Sequence, residues 1–311
     1  MLDQRDAADH CLSMATPIPT SFATEAGQRP EPGRRVVRIG RPPENLARPL
    51  ILASPHSGRD YDDELSRSTR LPVEFLRRSE DAYVDQLIDF APEYGAGFVC
   101  AEFPRVFVDV NRGPGELDPG MFADRVPDKE IAPSRRAASG LGVIPRIGAE
   151  GRTLYRRRLR FAEAKNLLAR FYHPYHAALH DEVMRLRDRF GSVILVDMHS
   201  MPALSGRGAD IVLGDRFGTS CREAVSDTVE TLFQDLGFVT VRNNPYAGGF
   251  TTEHYGRPME GVNVIQIEIN RGLYMDENRV LLRPDHADFI AKMRRFVSEL
   301  AGIDWVSRLQ P

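Results

Sequence analysis

Three side chains stand where reactive groups are easiest to hold in place. His56 lies in Ser54-Pro55-His56-Ser57-Gly58, directly after the apolar run 50–53, and His199 lies in Val196-Asp197-Met198-His199-Ser200, directly after the apolar run 193–196. Neutral imidazole is the commonest transition-metal ligand, and the end of a strand gives it a fixed position. A hydrolytic zinc site uses three protein ligands and leaves one position for water. The third ligand is sought in the adjacent pair Glu80-Asp81, with Asp81 preferred and Glu80 second. A lone histidine of this kind is ordinarily a hydrogen-bonded loop residue. Two of them, each at a strand end and beside a serine, make a shared metal an equal reading.

Glu268 is the third. It sits inside the apolar run Val264-Ile265-Gln266-Ile267-Glu268-Ile269 and is followed by Asn270-Arg271-Gly272. Burying a carboxylate there is unfavourable unless a cation, a polarised water or hydrogen bonds compensate. Burial also raises its pKa toward the value a general base needs. The plainer alternative is a structural ion pair to Arg271 or Arg112.

Around these lie groups suited to holding a substrate. Phe103-Pro104-Arg105 and Asp109-Val110-Asn111-Arg112-Gly113 put two guanidinium forks and an amide on one short stretch. A planar fork matches a carboxylate, and an asparagine can donate beside it. Asp109 and Asp197 are placed to orient their neighbours by hydrogen bonds. His173, His176 and His180 share one helical face but lack the glutamate of HExxH, so His176 is read as packing or lining the pocket. The loop Tyr246-Ala247-Gly248-Gly249-Phe250-Thr251-Thr252 has no lysine in P-loop position. Gly249 and Thr251 there suit contacts between backbone N–H groups, a hydroxyl and a small ligand. Ser57 and Ser200 lie in no G-x-S-x-G elbow, which disfavours a serine hydrolase.

The elements that must position these groups follow from hydrophobic period. Short apolar runs at 50–53, 97–103, 106–110, 193–196, 209–213, 238–241 and 264–269 read as strands. Longer segments with helical spacing cover about 72–91, 153–190 (broken or kinked near Pro174), 219–236 and 284–302. Strands alternating with helices predict an α/β fold, a three-layer α/β/α sandwich around a mixed sheet, with the site at strand carboxyl ends. Residues 113–150, rich in Gly and Pro, predict a long irregular excursion of the kind that serves as a lid or binding loop. Residues 1–35 read as a mobile N-terminal tail and 36–311 as a single catalytic domain.

Composition bounds the function class. The chain has 311 residues, with 41 Lys plus Arg against 44 Asp plus Glu, so no global charge argues for nucleic acid or a membrane surface. No apolar run is long enough to span a bilayer, and the acidic start MLDQRDAADH is unlike a signal peptide. Cys11, Cys100 and Cys221 are odd in number and form no CxxC, which points to a reducing cytoplasm, with Cys100 as a small core residue.

At these residues the chain resembles the N-formylglutamate amidohydrolase family. The likeness is carried by Ser-Pro-His-Ser-Gly (54–58), Glu-Asp-Ala-Tyr-Val-Asp (80–85), Phe-Pro-Arg-Val-Phe-Val-Asp-Val-Asn-Arg (103–112) and Pro-Tyr-His (174–176). It continues through Val-Asp-Met-His-Ser-Met-Pro (196–202), Gly-Gly-Phe-Thr-Thr (248–252) and Gln-Ile-Glu-Ile-Asn-Arg (266–271). These run in order over roughly 50–276 and are specific jointly rather than singly. The resemblance implies hydrolysis of N-formyl-L-glutamate to formate and L-glutamate, a late step of histidine breakdown. It also implies a hydrolase fold similar to the zinc carboxypeptidases, with one Zn²⁺ held by His56, His199 and a carboxylate. Glu268 is then the base, and Arg105, Asn111, Arg112, His176, Gly249 and Thr251 face the substrate. The carboxypeptidase pattern puts a glutamate three residues after the first histidine, where this chain has Arg59, so Asp60 and Glu80 remain rivals to Asp81.

Two other readings stay open. The same chemistry on another N-acyl amino acid or a small peptide would show in formate release across N-formyl amino acids. A non-catalytic small-acid binder would carry no metal after purification.

Overall fold

A computed structural model describes residues 35–61, 63–203 and 208–309, so the tail expected over 1–35, Arg35 apart, lies outside the described residues, as does Cys11. A seven-stranded sheet runs in the order β1-β3-β2-β4-β7-β5-β6. Its strands are β1 (Val37–Gly40), β2 (Leu50–Ser54), β3 (Gly97–Ala101), β4 (Val193–Met201), β5 (Ile211–Gly214), β6 (Thr240–Arg242) and β7 (Val262–Asn270). Pairs β1/β3 and β5/β7 are antiparallel and the rest parallel, so the sheet is mixed, as the alternation of elements predicts. A short hairpin, β8 (Met275–Asp276) with β9 (Leu281–Leu282), stands apart.

Helices cover both faces and make three layers. The helical elements include α1 (Asp63–Ser68), α2 (Val73–Leu76), α3 (Arg135–Ala138), α4 (Phe161–Leu167), α5 (His173–Phe190), α6 (Glu223–Asp235), α7 (Phe250–Tyr255), α8 (His286–Gly302) and α9 (Trp305–Arg308). Strand residues alternate between two cores because successive side chains point to opposite faces. Leu50, Leu52, Ile194, Val196, Met198, Ile265, Ile267 and Ile269 pack under α6 and α8, where Phe233 and Phe296 stack at 4.2 Å. Ile51, Ala53, Val193, Leu195, Val262 and Val264 pack on the opposite face, under α5 and the excursion. Each such Val, Leu, Ile, Met or Phe side chain, when fully buried, contributes roughly 1.5–3 kcal/mol.

Several elements differ from their sequence pattern for identifiable reasons. The stretch 72–91 is a series of short helical turns, because Tyr83 takes a left-handed conformation (φ 68°) and its hydroxyl donates to Val280 O at 2.8 Å. Residues 106–110 do not form a strand. Both edges of β3 are already taken by β1 and β2, and Val106, Phe107, Val108 and Val110 are instead buried in the α5-side core. Pro174 breaks nothing, since it lies in the first turn of α5, where its missing N–H is not needed. The irregularity falls just before it, as a π turn over Leu168–Tyr172. Residues 113–150 are largely irregular, as expected, yet Leu117, Met121, Phe122, Val126, Val143 and Ile144 anchor them in the same core. Among the described residues, no helix is long and apolar enough to cross a membrane.

Candidate metal centre

The site grows out of the pairing of β4 with β7. Asp197 stands opposite Gln266, and His199 opposite Glu268. On the face where Val193, Leu195, Val262 and Val264 are core, the alternation thus continues into four polar side chains at the strands' carboxyl ends. Met198, Ile267 and Ile269 keep the other face apolar. His199 is therefore inside a nine-residue strand rather than in the turn after it.

His56 arrives from the turn after β2. Gly58 lets this turn press on the neighbouring chain, since a Cβ there would lie 2.2 Å from Phe103 O. Asp81 is set beside it by its own backbone N–H, which donates to His56 O at 3.0 Å. One oxygen of Asp81 then faces both imidazoles: Oδ2 lies 3.3 Å from His56 Nδ1 and 3.0 Å from His199 Nδ1. The other oxygen, Oδ1, accepts from Arg105 Nη1 at 3.2 Å and Arg271 Nη2 at 3.0 Å. Glu80 turns away, accepting from Tyr61 Oη at 2.8 Å and Arg77 Nε at 3.4 Å.

The far nitrogen of each imidazole meets a carboxylate. Asp109 Oδ1 lies 2.8 Å from His56 Nε2, and Asp197 Oδ2 lies 3.0 Å from His199 Nε2. The second contact is off the line of a hydrogen bond, for neither Asp197 oxygen has a hydrogen-bond partner among the described residues, although the residue is fully buried. The Asp109 contact favours the Nε2–H tautomer of His56, whose Nδ1 then faces Asp81, while His199 Nδ1 hydrogen-bonds Asp81 Oδ2 at 3.0 Å. His56 Nδ1 is buried without a hydrogen-bond partner among the described residues.

Electrostatics follow from this packing. Burial works to raise the Asp81 carboxyl, but Arg105 and the two histidines hold it well below the usual carboxylate range. Burial likewise opposes charge on His199, and Asp197 with Asp81 nonetheless holds it well above its ordinary value. Glu268 differs: burial pushes it up to about 7, with the Asp81 charge adding to the rise while His199, Arg105 and Arg271 pull the other way. Its Oε1 accepts from Gln266 Nε2 at 2.8 Å, whereas the two arginines of the alternative, ion-pair reading go elsewhere, Arg271 to Asp81 and Ser200 and Arg112 to Asn111 O and Leu141 O.

The donor set suits a metal ion. One ring nitrogen of each histidine and one Asp81 carboxylate oxygen lie within 4.8 Å of one another, and all three residues are buried. Ligand atoms about 2.0–2.1 Å from a tetrahedral zinc are separated by roughly 3.3 Å, close to the two Asp81 contacts. His56 Nδ1, buried and without a hydrogen-bond partner among the described residues, offers a lone pair that fits such an ion.

The other residues singled out from sequence fall into two groups. Asn111 and the glycine loop are brought to the site. Asn111 Oδ1 accepts from Thr251 N at 2.9 Å, its Nδ2 lies 3.1 Å from His199 Nε2, and Gly249 N donates to Gln266 Oε1 at 2.8 Å. A Cβ on Gly249 would meet the Asn111 amide at 2.4 Å, so only glycine fits there. Thr251 is fully buried, with an Oγ1 that has no partner among the described residues. Arg112 donates to Asn111 O and Leu141 O, while Tyr172 Oη donates to Arg112 O at 2.9 Å. Two residues are engaged within the chain. Arg105 gives Nη1 to Asp81 and Nη2 to Asp109, and His176 is fully buried beneath α7. Burial lowers His176 to about 3, so it is neutral, with Nε2 donating to Val110 O and Nδ1 accepting from Tyr255 Oη, both at 2.9 Å.

Gln266 and Arg271 were not singled out as site residues. The signal for Gln266 was present, as a second polar residue at alternate spacing from Glu268. Arg271 pairs across 190 positions with Asp81, which no local pattern announces.

A family model described as N-formylglutamate amidohydrolase matches residues 48–275. The chain is similar to an N-formylglutamate deformylase of Pseudomonas putida, 30% identical over 239 residues, covering 74% of this chain and 82% of that one. It is also 30% identical over 262 residues to an N-formylglutamate deformylase of Pseudomonas aeruginosa, covering 81% and 91%. A crystal structure of N-formylglutamate amidohydrolase from Ralstonia eutropha superposes with a TM-score of 0.82 at 35% identity, covering 88% of this chain and 99% of the other.

Proposed function

The chain belongs to the N-formylglutamate amidohydrolase family, and from that premise we propose that it is a zinc-dependent hydrolase cleaving N-formyl-L-glutamate to formate and L-glutamate. The observation that carries the metal dependence is Asp81 Oδ2 between two Nδ1 atoms, each ring backed by a carboxylate. His56, Asp81 and His199 would hold the ion. When bound, zinc polarises the formyl carbonyl and makes water acidic enough to lose a proton near neutral pH.

The chain's own groups do the rest. Glu268, raised by burial, takes the water's proton at a carboxylate oxygen and returns it to the leaving amine nitrogen. Gln266 steadies the Glu268 carboxylate through Oε1 and is itself fixed by Gly249 N. Asp109 orients His56 through Nε2 and Asp197 lies beside His199 Nε2, so that each Nδ1 is turned toward Asp81. Arg105 and Arg271 fix Asp81 through Oδ1, so that Oδ2 alone faces the histidines. Asn111 and Arg112 hold a substrate carboxylate, with Thr251 and the Gly249 backbone beside them, and this positioning converts hydrolytic power into selectivity. Arg105 joins them only through donors not already given to Asp81 and Asp109, and His176 acts from behind, by bracing Val110 and Tyr255. Buried free thiols at Cys100 and Cys221 fit a reducing cytoplasm, and the reaction fits a late step of histidine breakdown.

Formate release across N-formyl amino acids tests the substrate. We expect N-formyl-L-glutamate to give the highest kcat/KM, with N-formyl-L-glutamine and N-formyl-L-methionine well below it. Equal rates on all three would remove the assignment to glutamate while keeping the hydrolase.

A further inference from the structure

A cavity opens one residue beyond His56. It encloses about 240 Å³ and is lined by residues 57–60, Asp85, Ala101 and Glu102. That volume is below the range of pockets for drug-sized ligands, so its occupant is small. The walls come from the two segments that carry metal ligands. Residues 57–60 continue the turn that holds His56, and Asp85 follows Asp81 by four positions, in the helical turn Val84–Leu87. The end of β3 and Glu102 close the cavity from the side.

These walls are fixed in place by the chain itself. Asp60 N donates to Glu102 O at 2.9 Å, and Glu102 N donates to Val36 O at 3.0 Å. Ser57, buried, meets Ser54 through its hydroxyl at 2.7 Å. Asp85, also buried, accepts from Arg38 Nη2 at 2.9 Å on one oxygen and from Arg59 Nη1 at 3.2 Å on the other. Two groups of opposite charge keep a free edge. Glu102 accepts from Arg38 Nε at 2.8 Å through Oε1, and its Oε2 takes no hydrogen bond or ion pair among the described residues. Arg59 gives only Nη1 to Asp85, and among the described residues it makes no ion pair with Glu102. A cation and an anion that line one small cavity without pairing suit a ligand that carries both charges. A guanidinium edge matches a carboxylate, and a carboxylate oxygen accepts from an ammonium.

We propose that this cavity binds a free α-amino acid, with its carboxylate on Arg59 and its ammonium on Glu102, and that the bound ligand tightens zinc binding by bracing both ligand-bearing segments. The binding site stands on the cavity, whereas the coupling rests on the metal centre proposed above. A free amino acid is also what the proposed hydrolysis releases.

The test is calorimetry on the full-length protein with L-glutamine and two analogues that each lack one charge. Glutaramate lacks the ammonium, and 4-aminobutanamide lacks the α-carboxylate. Wild type should bind one equivalent of L-glutamine and each analogue about tenfold more weakly. Arg59→Gln should weaken L-glutamine by about tenfold and leave 4-aminobutanamide unchanged, with part of the loss recovered in Arg59→Lys. Glu102→Gln should weaken L-glutamine similarly and leave glutaramate unchanged. An effect through folding alone would weaken all three ligands together. In competition with a chromophoric chelator, saturating L-glutamine should tighten zinc by about fivefold, and Arg59→Gln should abolish that shift. By linkage, zinc should tighten L-glutamine by the same factor. No L-glutamine binding, or binding unchanged in both variants, overturns the site, and binding without a shift in zinc affinity overturns the coupling. A protein that binds L-glutamine through Arg59 and Glu102 but takes up no zinc overturns the metal reading and leaves the site standing.

Discussion

Glu268→Gln is expected to lose turnover by about 10²–10⁴-fold while binding metal as wild type does. Glutamine keeps the size of the side chain and can still meet Gln266 after an amide rotation, so the packing of β7 against β4 survives. It cannot accept a proton from water or carry one to the leaving nitrogen. Burial raises Glu268 to about 7, and Glu80, also raised, is turned away toward Tyr61 and Arg77; Asp81 and Asp109 are held well below the usual range and are poor bases. KM should change little, because the lost interaction belongs to the transition state. Initial rates of formate release with elemental analysis of the same preparation decide it. Near wild-type turnover in this variant would place the base elsewhere.

Asp81→Asn is expected to weaken metal binding by more than about 100-fold, beyond what loss of a supporting hydrogen bond costs. The substitution removes the charge that faces the two Nδ1 atoms. It also strips the negative partner from Arg105 and Arg271, and breaking a buried ion pair costs about 3–5 kcal/mol, so the variant should melt earlier as well. Glu80→Gln separates the rivals. Glu80 is paired with Tyr61 and Arg77, so this variant should keep its metal. Competition with a chromophoric zinc chelator reads both. Metal retained by Asp81→Asn and lost by Glu80→Gln would reverse the choice of third ligand.

Much of this was legible from periodicity. An apolar strand interrupted by polar residues at alternate positions, as at 197 and 199 or 266 and 268, announces a sheet face that turns from core to site. The parallel register that seats His199 opposite Glu268 could not be read, because pairing partners depend on strand order. Choosing Asp81 over Glu80 from sequence alone was a choice between neighbours. Both are buried, and the Asp81 N–H bond to His56 O, with Tyr61 and Arg77 holding Glu80, turns one toward the histidines and the other away without any local signal. Arg105 shows the limit of residue type. A fork suited to a substrate carboxylate is equally suited to Asp81 and Asp109, and the fold put those two within its reach.

The most direct measurement is formate release from N-formyl-L-glutamate by protein stripped of metal with a chelator and then titrated with zinc. Stripped protein should be inactive, and activity should return in proportion to zinc up to about one equivalent. Full activity in the stripped protein would contradict a metal centre at His56, Asp81 and His199.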